Sequence, residues 1–103
     1  MIKVGVFYPQ SAKFDWDYYM TKHTPLVQSR LSPAIKKVDI EKGLAGGAPG
    51  ADATYQCVCN LHFDSVEAFQ AAFGPYAAEI MGDIPNYTDL QPVIQISEVV
   101  VGH

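Results

Sequence analysis

The chain has 103 residues, 49% apolar and 17% charged, which fits one folded domain over residues 1–103 and excludes a disordered chain. It lacks an apolar run of roughly 20 residues and a charged leader before an apolar stretch, and Cys57 and Cys59 are its only cysteines, so a cytoplasmic protein with reduced thiols is expected. The net charge of −4 is split by position: residues 1–42 hold all seven basic and four acidic residues, whereas residues 43–103 hold seven acidic ones and no Lys or Arg, which excludes a phosphate-backbone binder.

Residues 2–8 alternate, placing Ile2, Val4, Val6 and Tyr8 on one side of a strand that Pro9 ends. Asp15 stands as an N-cap and Asp17 adds negative charge to a first helical turn. Trp16, Tyr19, Met20, His23, Val27 and Leu31 then recur at spacings of three and four, one helix face running to about Leu31. Pro25 lies inside that span. Its ring meets the carbonyl of Thr21 and it has no amide proton, so a kink or break is expected near His23 and Thr24. Residues 35–42 read as a charged strand suited to a sheet edge. Residues 43–53 form a loop rich in glycine. It has no Gly-Lys-Ser/Thr ending, does not match Gly-x-Gly-x-x-Gly and leads into a strand, so it reads as a mobile connector and not a phosphate cradle.

Residues 54–63 alternate again, with Tyr55, Cys57, Cys59, Leu61 and Phe63 on one side and Gln56, Val58, Asn60 and His62 on the other. Ser65 begins a second helix within Asp64-Ser-Val-Glu67, and Val66, Phe69, Ala72 and Phe73 form its inner stripe. Gly74-Pro75 interrupts it, residues 76–81 add a turn or two, and residues 82–89 are turn-rich. Residues 93–101 close the chain as a β-branched strand. The order βαββαβ is that of an α+β, ferredoxin-like fold: a four-stranded antiparallel sheet with both helices on one face. The open face shows Lys3, Gly5 and Phe7, then Gln56, Val58, Asn60 and His62, then Gln95, Ser97 and Val99. That mixture suits a ligand pocket, which a second copy packed sheet to sheet would enclose.

Among candidate site residues, His23 sits on the inner helical stripe beside a proline that frees a backbone carbonyl. It reads either as an acid, base or ligand donor, or as a satisfied core histidine. Asn60 and His62 project together from one strand and are placed to bind a substrate carbonyl or hydroxyl, although His62 also reads as a strand-end cap near Asp64. Tyr18 or Tyr76 is expected to point a hydroxyl into the pocket. Three histidines including the terminal His103, without a His-x-x-x-His or Cys-x-x-Cys pair, argue against a metal site, and no cofactor is expected. Cys57 and Cys59 read as helix-side core. An RNA-binding βαββαβ module is set aside because the open face lacks the required aromatic and basic display.

Three segments carry a family resemblance: Phe14-Asp15-x-Asp17-Tyr18-Tyr19-x-x-x-His23-x-Pro25-Leu26, the Gly43–Gly50 loop, and Phe63-Asp64-Ser65-x-Glu67-Ala68-Phe69 followed by Ile84-Pro85-Asn86-Tyr87. Together they resemble the EthD family, nearly end to end. The resemblance implies the dimeric α/β-barrel superfamily, in which two ferredoxin-like subunits pack their sheets together and each encloses a cavity between sheet and helices or near the barrel interior. It also implies a setting like that of the family's namesake, a small protein encoded with a cytochrome monooxygenase system that degrades ethyl tert-butyl ether. The expectation is therefore a homodimer that binds a small, largely apolar organic compound and acts on it in a degradative or oxygenase-linked pathway, with His23 carried over from the family motif. The rival expectation is a non-catalytic accessory or metabolite-binding dimer supporting a monooxygenase system, because fold alone does not fix a reaction.

Overall fold

Alternating apolar residues give four strands that pair into one antiparallel sheet in the computed structural model, which describes residues 1–11 and 13–102. The strands are β1 (Ile2–Pro9), β2 (Lys37–Lys42), β3 (Tyr55–Phe63) and β4 (Val93–Glu98), in the spatial order β2-β3-β1-β4. The period of two decides which face each side chain meets. Ile2, Val4 and Tyr8 of β1 and Cys57, Cys59, Leu61 and Phe63 of β3 turn toward the helices and are buried. Charged β2 lies at one edge, where its lysines and acids discourage pairing with another chain.

One extra residue breaks the alternation of β3. Tyr8 faces Cys57 but Pro9 faces Tyr55, so Gln56 bulges out and its Nε2 donates to the Pro9 carbonyl at 2.9 Å. Tyr55 thereby crosses to the open side and packs on Phe7, ring centroids 5.2 Å apart. The expected placement of Tyr55 beside Cys57 is thus corrected. The last strand also ends at Glu98, short of the expected residue 101.

The first helical unit runs α1 (Trp16–Tyr18), a π-helical turn (Tyr19–His23) and α2 (Thr24–Leu31). Asp15 caps it, Oδ1 accepting from the Tyr18 amide at 3.0 Å. The Thr24 amide bonds the Tyr19 carbonyl five residues back, so the expected kink takes the form of a widened turn just ahead of Pro25. Tyr19, His23 and Leu31 face inward, but Met20 stays 45% exposed, which corrects its assignment to the inner face. In the second unit, Ser65 caps α3 (Val66–Phe73), Oγ accepting from the Ala68 amide at 3.0 Å. A 3-10 turn (Gly74–Tyr76) leads to α4 (Ala77–Gly82), and another (Ile84–Asn86) follows. Phe69 docks α3 on Phe63 with centroids 5.1 Å apart. Among the described residues, no helix is long and apolar enough to cross a membrane.

The glycine-rich loop is closed rather than slack. The Gly43 amide donates to the Gln56 carbonyl at 3.0 Å, and that of Gly46 to the Ala51 carbonyl at 2.8 Å. A Cβ at Gly43 would collide with the Tyr55 carbonyl oxygen, whereas one at Gly47 would meet open space. Gly43→Ala is expected to lower unfolding free energy by about 1–3 kcal/mol in urea titrations, through overpacking against backbone. Gly47→Ala should stay within about 0.5 kcal/mol of wild type.

Candidate functional site

Between the sheet and its helices lies a cavity of about 210 Å³. Val4, Val6 and Tyr8 of β1 and Cys59 and Leu61 of β3 form its floor. Tyr19, His23, Thr24 and Val27 wall it on one side, and Phe69, Phe73 and Ile80 on the other. Ile94 of the edge strand β4 lines the cavity and remains 45% exposed, and Gln28 of α2 is also exposed. No Lys, Arg, Asp or Glu among the described residues lines it.

The π turn places His23 in this apolar wall, 5% exposed, with its ring stacked on Tyr19 at 5.7 Å and tilted against Tyr87 at 4.7 Å. Nδ1 lies 2.9 Å from Oδ2 of Asp83. A neutral imidazole donating Nδ1–H to that carboxylate keeps its lone pair on Nε2. Asp83 is held in turn by Tyr18, whose hydroxyl donates to Oδ1 at 2.6 Å, and by the Asn86 amide at 2.8 Å. Burial pushes the His23 pKa below its ordinary value against the opposing pull of the Asp83 hydrogen bond and charge. At Asp83 burial acts upward, but the hydrogen bonds from Tyr18, Asn86 and His23 outweigh it and hold the carboxyl below its usual range. At neutral pH the pair is therefore a neutral imidazole oriented by a carboxylate.

The sequence placed an orienting acid nowhere, because Asp83 lies sixty residues from His23 within a segment that reads only as turns. The Asp15 amide donates to the Tyr87 carbonyl at 2.8 Å and the Thr88 hydroxyl to the Lys13 carbonyl at 2.8 Å, which anchors residues 83–88 against the start of α1. Tyr87 was likewise missed as a site residue. It is fully buried, and its hydroxyl lies 2.7 Å from that of Tyr8. Burial raises the pKa of both phenols, so both stay protonated.

The other expected site residues are scattered. Tyr18 reaches Asp83, not the cavity. Tyr76 is 39% exposed with the Arg30 guanidinium over its ring at 5.6 Å, and lies outside the cavity wall. Asn60 and His62 belong to the open face, opposite the cavity, in register with Gly5 and Lys3. Asn60 is nonetheless 6% exposed, and Nδ1 of His62 is buried with no hydrogen-bond partner among the described residues. Cys57 and Cys59 are free buried thiols, pushed by burial up to about 12 and about 11, so they are inert at neutral pH. His103 lies outside the described residues.

The lowered His23 pKa fixes the sign of a pH effect. Below the unfolded-state value near 6.5 the unfolded chain takes up a proton that folded His23 resists, so stability falls as pH drops. Urea unfolding between about pH 6.5 and 5 should show this loss, and His23→Gln should flatten it. In NMR titration, Asp83→Asn should move the His23 pKa further down, because the charge and hydrogen bond that raise it are removed.

The model of the EthD domain family matches residues 8–91. A crystal structure of an EthD-like protein from Ralstonia eutropha JMP134 superposes with a TM-score of 0.91 at 50% identity, covering 99% of this chain and 94% of the other. That of an ethyl tert-butyl ether D (EthD) family protein from Bacillus halodurans C-125 gives 0.65 at 20% identity, covering 95% and 97%, a likeness of fold. No curated protein matches. The family motif and the ferredoxin-like sheet agree with these matches, and the chain belongs to the EthD family.

Proposed function

We propose that this chain binds a small, largely apolar organic molecule in the cavity between sheet and helices and acts on it by proton transfer through Nε2 of His23. One observation carries the reading: a neutral histidine, its Nδ1 fixed by Asp83, stands in the wall of an otherwise apolar cavity. That is the arrangement of a general base near neutral pH. Tyr18 serves it indirectly, as a positioning residue that holds Asp83. The volume exceeds the roughly 150 Å³ that accommodates benzene, which suits a ligand of one ring or a branched chain of similar bulk. Membership of the EthD family, whose Bacillus halodurans member carries the name ethyl tert-butyl ether D, supports a degradative pathway for the substrate.

In this reading Asn60 and His62 leave the substrate site, since they project from the sheet face away from the cavity, the face on which a second copy would pack. A homodimer in sedimentation analysis at micromolar concentration is expected, and a monomer overturns that part. For the chemistry, a panel of small apolar substrates is offered to wild type and His23→Ala. Turnover should fall about 10²–10⁴-fold, the usual weight of a general base. Wild-type binding without any conversion would instead leave a non-catalytic accessory protein.

A further inference from the structure

Ile80 and Met81 place a weakly held piece of chain in the cavity wall. Helix α4 has six residues, no side-chain bond capping its N-terminus, and Ile80 as its one buried residue. A helix that short gains little from its own hydrogen bonds and depends on packing. Glycines stand at both ends, Gly74 opening the preceding 3-10 turn and Gly82 closing the helix, and an added Cβ would meet nothing at either. Few buried side chains and pliant ends mark the part of a fold that opens most readily.

Among the described residues, one side-chain tether joins α4 to another element. The Arg30 guanidinium of α2 donates to both carboxylate oxygens of Glu79, from Nε at 2.9 Å and from Nη2 at 3.2 Å. It also covers the Tyr76 ring at 5.6 Å, so it grips the helix and the turn that leads into it. The two side chains are 40% and 46% exposed, and a pair in water is made and broken at little cost. The chain beyond Gly82 is held differently. Asp83 is bonded to Tyr18, Asn86 and His23, and the Asp15 amide donates to the Tyr87 carbonyl. A fixed post therefore begins immediately after the second glycine.

Resting on the proposal that the cavity holds the ligand, we infer that α4 is its lid, swinging between Gly74 and Gly82 and latched shut by Arg30 and Glu79. Lifting α4 takes Ile80 and Met81 out of the wall and opens the cavity to solvent. His23 and Asp83 stay paired on the fixed side of the hinge, so entry of a ligand does not dismantle the oriented histidine. A lid of this kind sets the rate at which ligand enters and leaves and has little effect on how tightly it is held. A route past exposed Gln28 or Ile94 would need no movement of α4, and the latch decides between the two.

The test follows fluorobenzene, a probe of about the bulk of benzene, by fluorine NMR as it exchanges between free and bound states. Arg30→Glu sets two acids against each other at the surface and leaves the core untouched. It should raise the association and dissociation rates together, about two- to fivefold, the weight of an exposed ion pair, and change Kd less than twofold. The charge-swapped Arg30→Glu/Glu79→Arg should return both rates to those of wild type. Raised salt should speed exchange in wild type and not in Arg30→Glu. Rates that are equal in wild type and Arg30→Glu, or that the swapped pair fails to restore, overturn the lid while the cavity stays a ligand site. Failure of fluorobenzene to bind any of the three overturns the cavity reading itself, and this inference with it.

Discussion

Pro25 constrains more of this molecule than any other residue. It offers no amide proton, and its ring needs the space that a regular helix gives to the carbonyl four residues earlier. The chain meets that demand by widening the preceding turn, so that the Thr24 amide reaches back to Tyr19. The widened turn sends Tyr19 and His23 inward and leaves Met20 in solvent. The local cost of an irregular turn is thus coupled to the orientation of the histidine.

The histidine also needs its acid, and the fold supplies it from the far end of the chain. Residues 83–88 are tied to the start of α1 by backbone bonds at Asp15 and by the Thr88 hydroxyl, which brings Asp83 within 2.9 Å of Nδ1. Tyr18 contributes from the helix and Asn86 from the turn, so the carboxylate is fixed from both sides. Such outer partners decide which tautomer a histidine adopts. The carboxylate itself stays out of the cavity wall, so the negative charge is not placed among apolar side chains.

Much of this was legible in the chain. Alternation located the core sides of β1 and most of β3, and Asp15 and Ser65 announced both helix starts as N-caps. Helical spacing put His23 inside. Three features escaped, each for its own reason. Tyr55 was misplaced because one bulged residue inverts a period of two, and nothing in Tyr55-Gln56-Cys57 signals a bulge. Asp83 escaped because a contact across sixty residues leaves no local pattern. The helix-side cavity is implied by the family resemblance but not by periodicity, which points to the open face, where Lys3, Gly5, Phe7, Gln95, Ser97 and Val99 do line a second hollow. An enclosed volume depends on how far short side chains such as Val4, Val6 and Val27 reach across the layer.

The position of the cavity separates two questions that composition had merged. A four-stranded sheet with helices on one side leaves its second face open to solvent or to the proposed second copy. If the ligand sat on that face, binding and pairing would be one event. The cavity instead lies on the helix side, with its floor, both walls and the oriented histidine drawn from one chain. A ligand there touches neither Asn60 nor His62. Pairing would then reach the site only by way of the sheet, whose strands β1 and β3 show one face to the cavity and the other to the open side. The exposed edge of β4 qualifies this separation. Ile94 lines the cavity, while Ile96 and Val93 beside it are exposed apolar surface on the same edge strand. A neighbour that covered this edge would pack against Ile94, a side chain of the cavity wall, without supplying any group to the chemistry at His23.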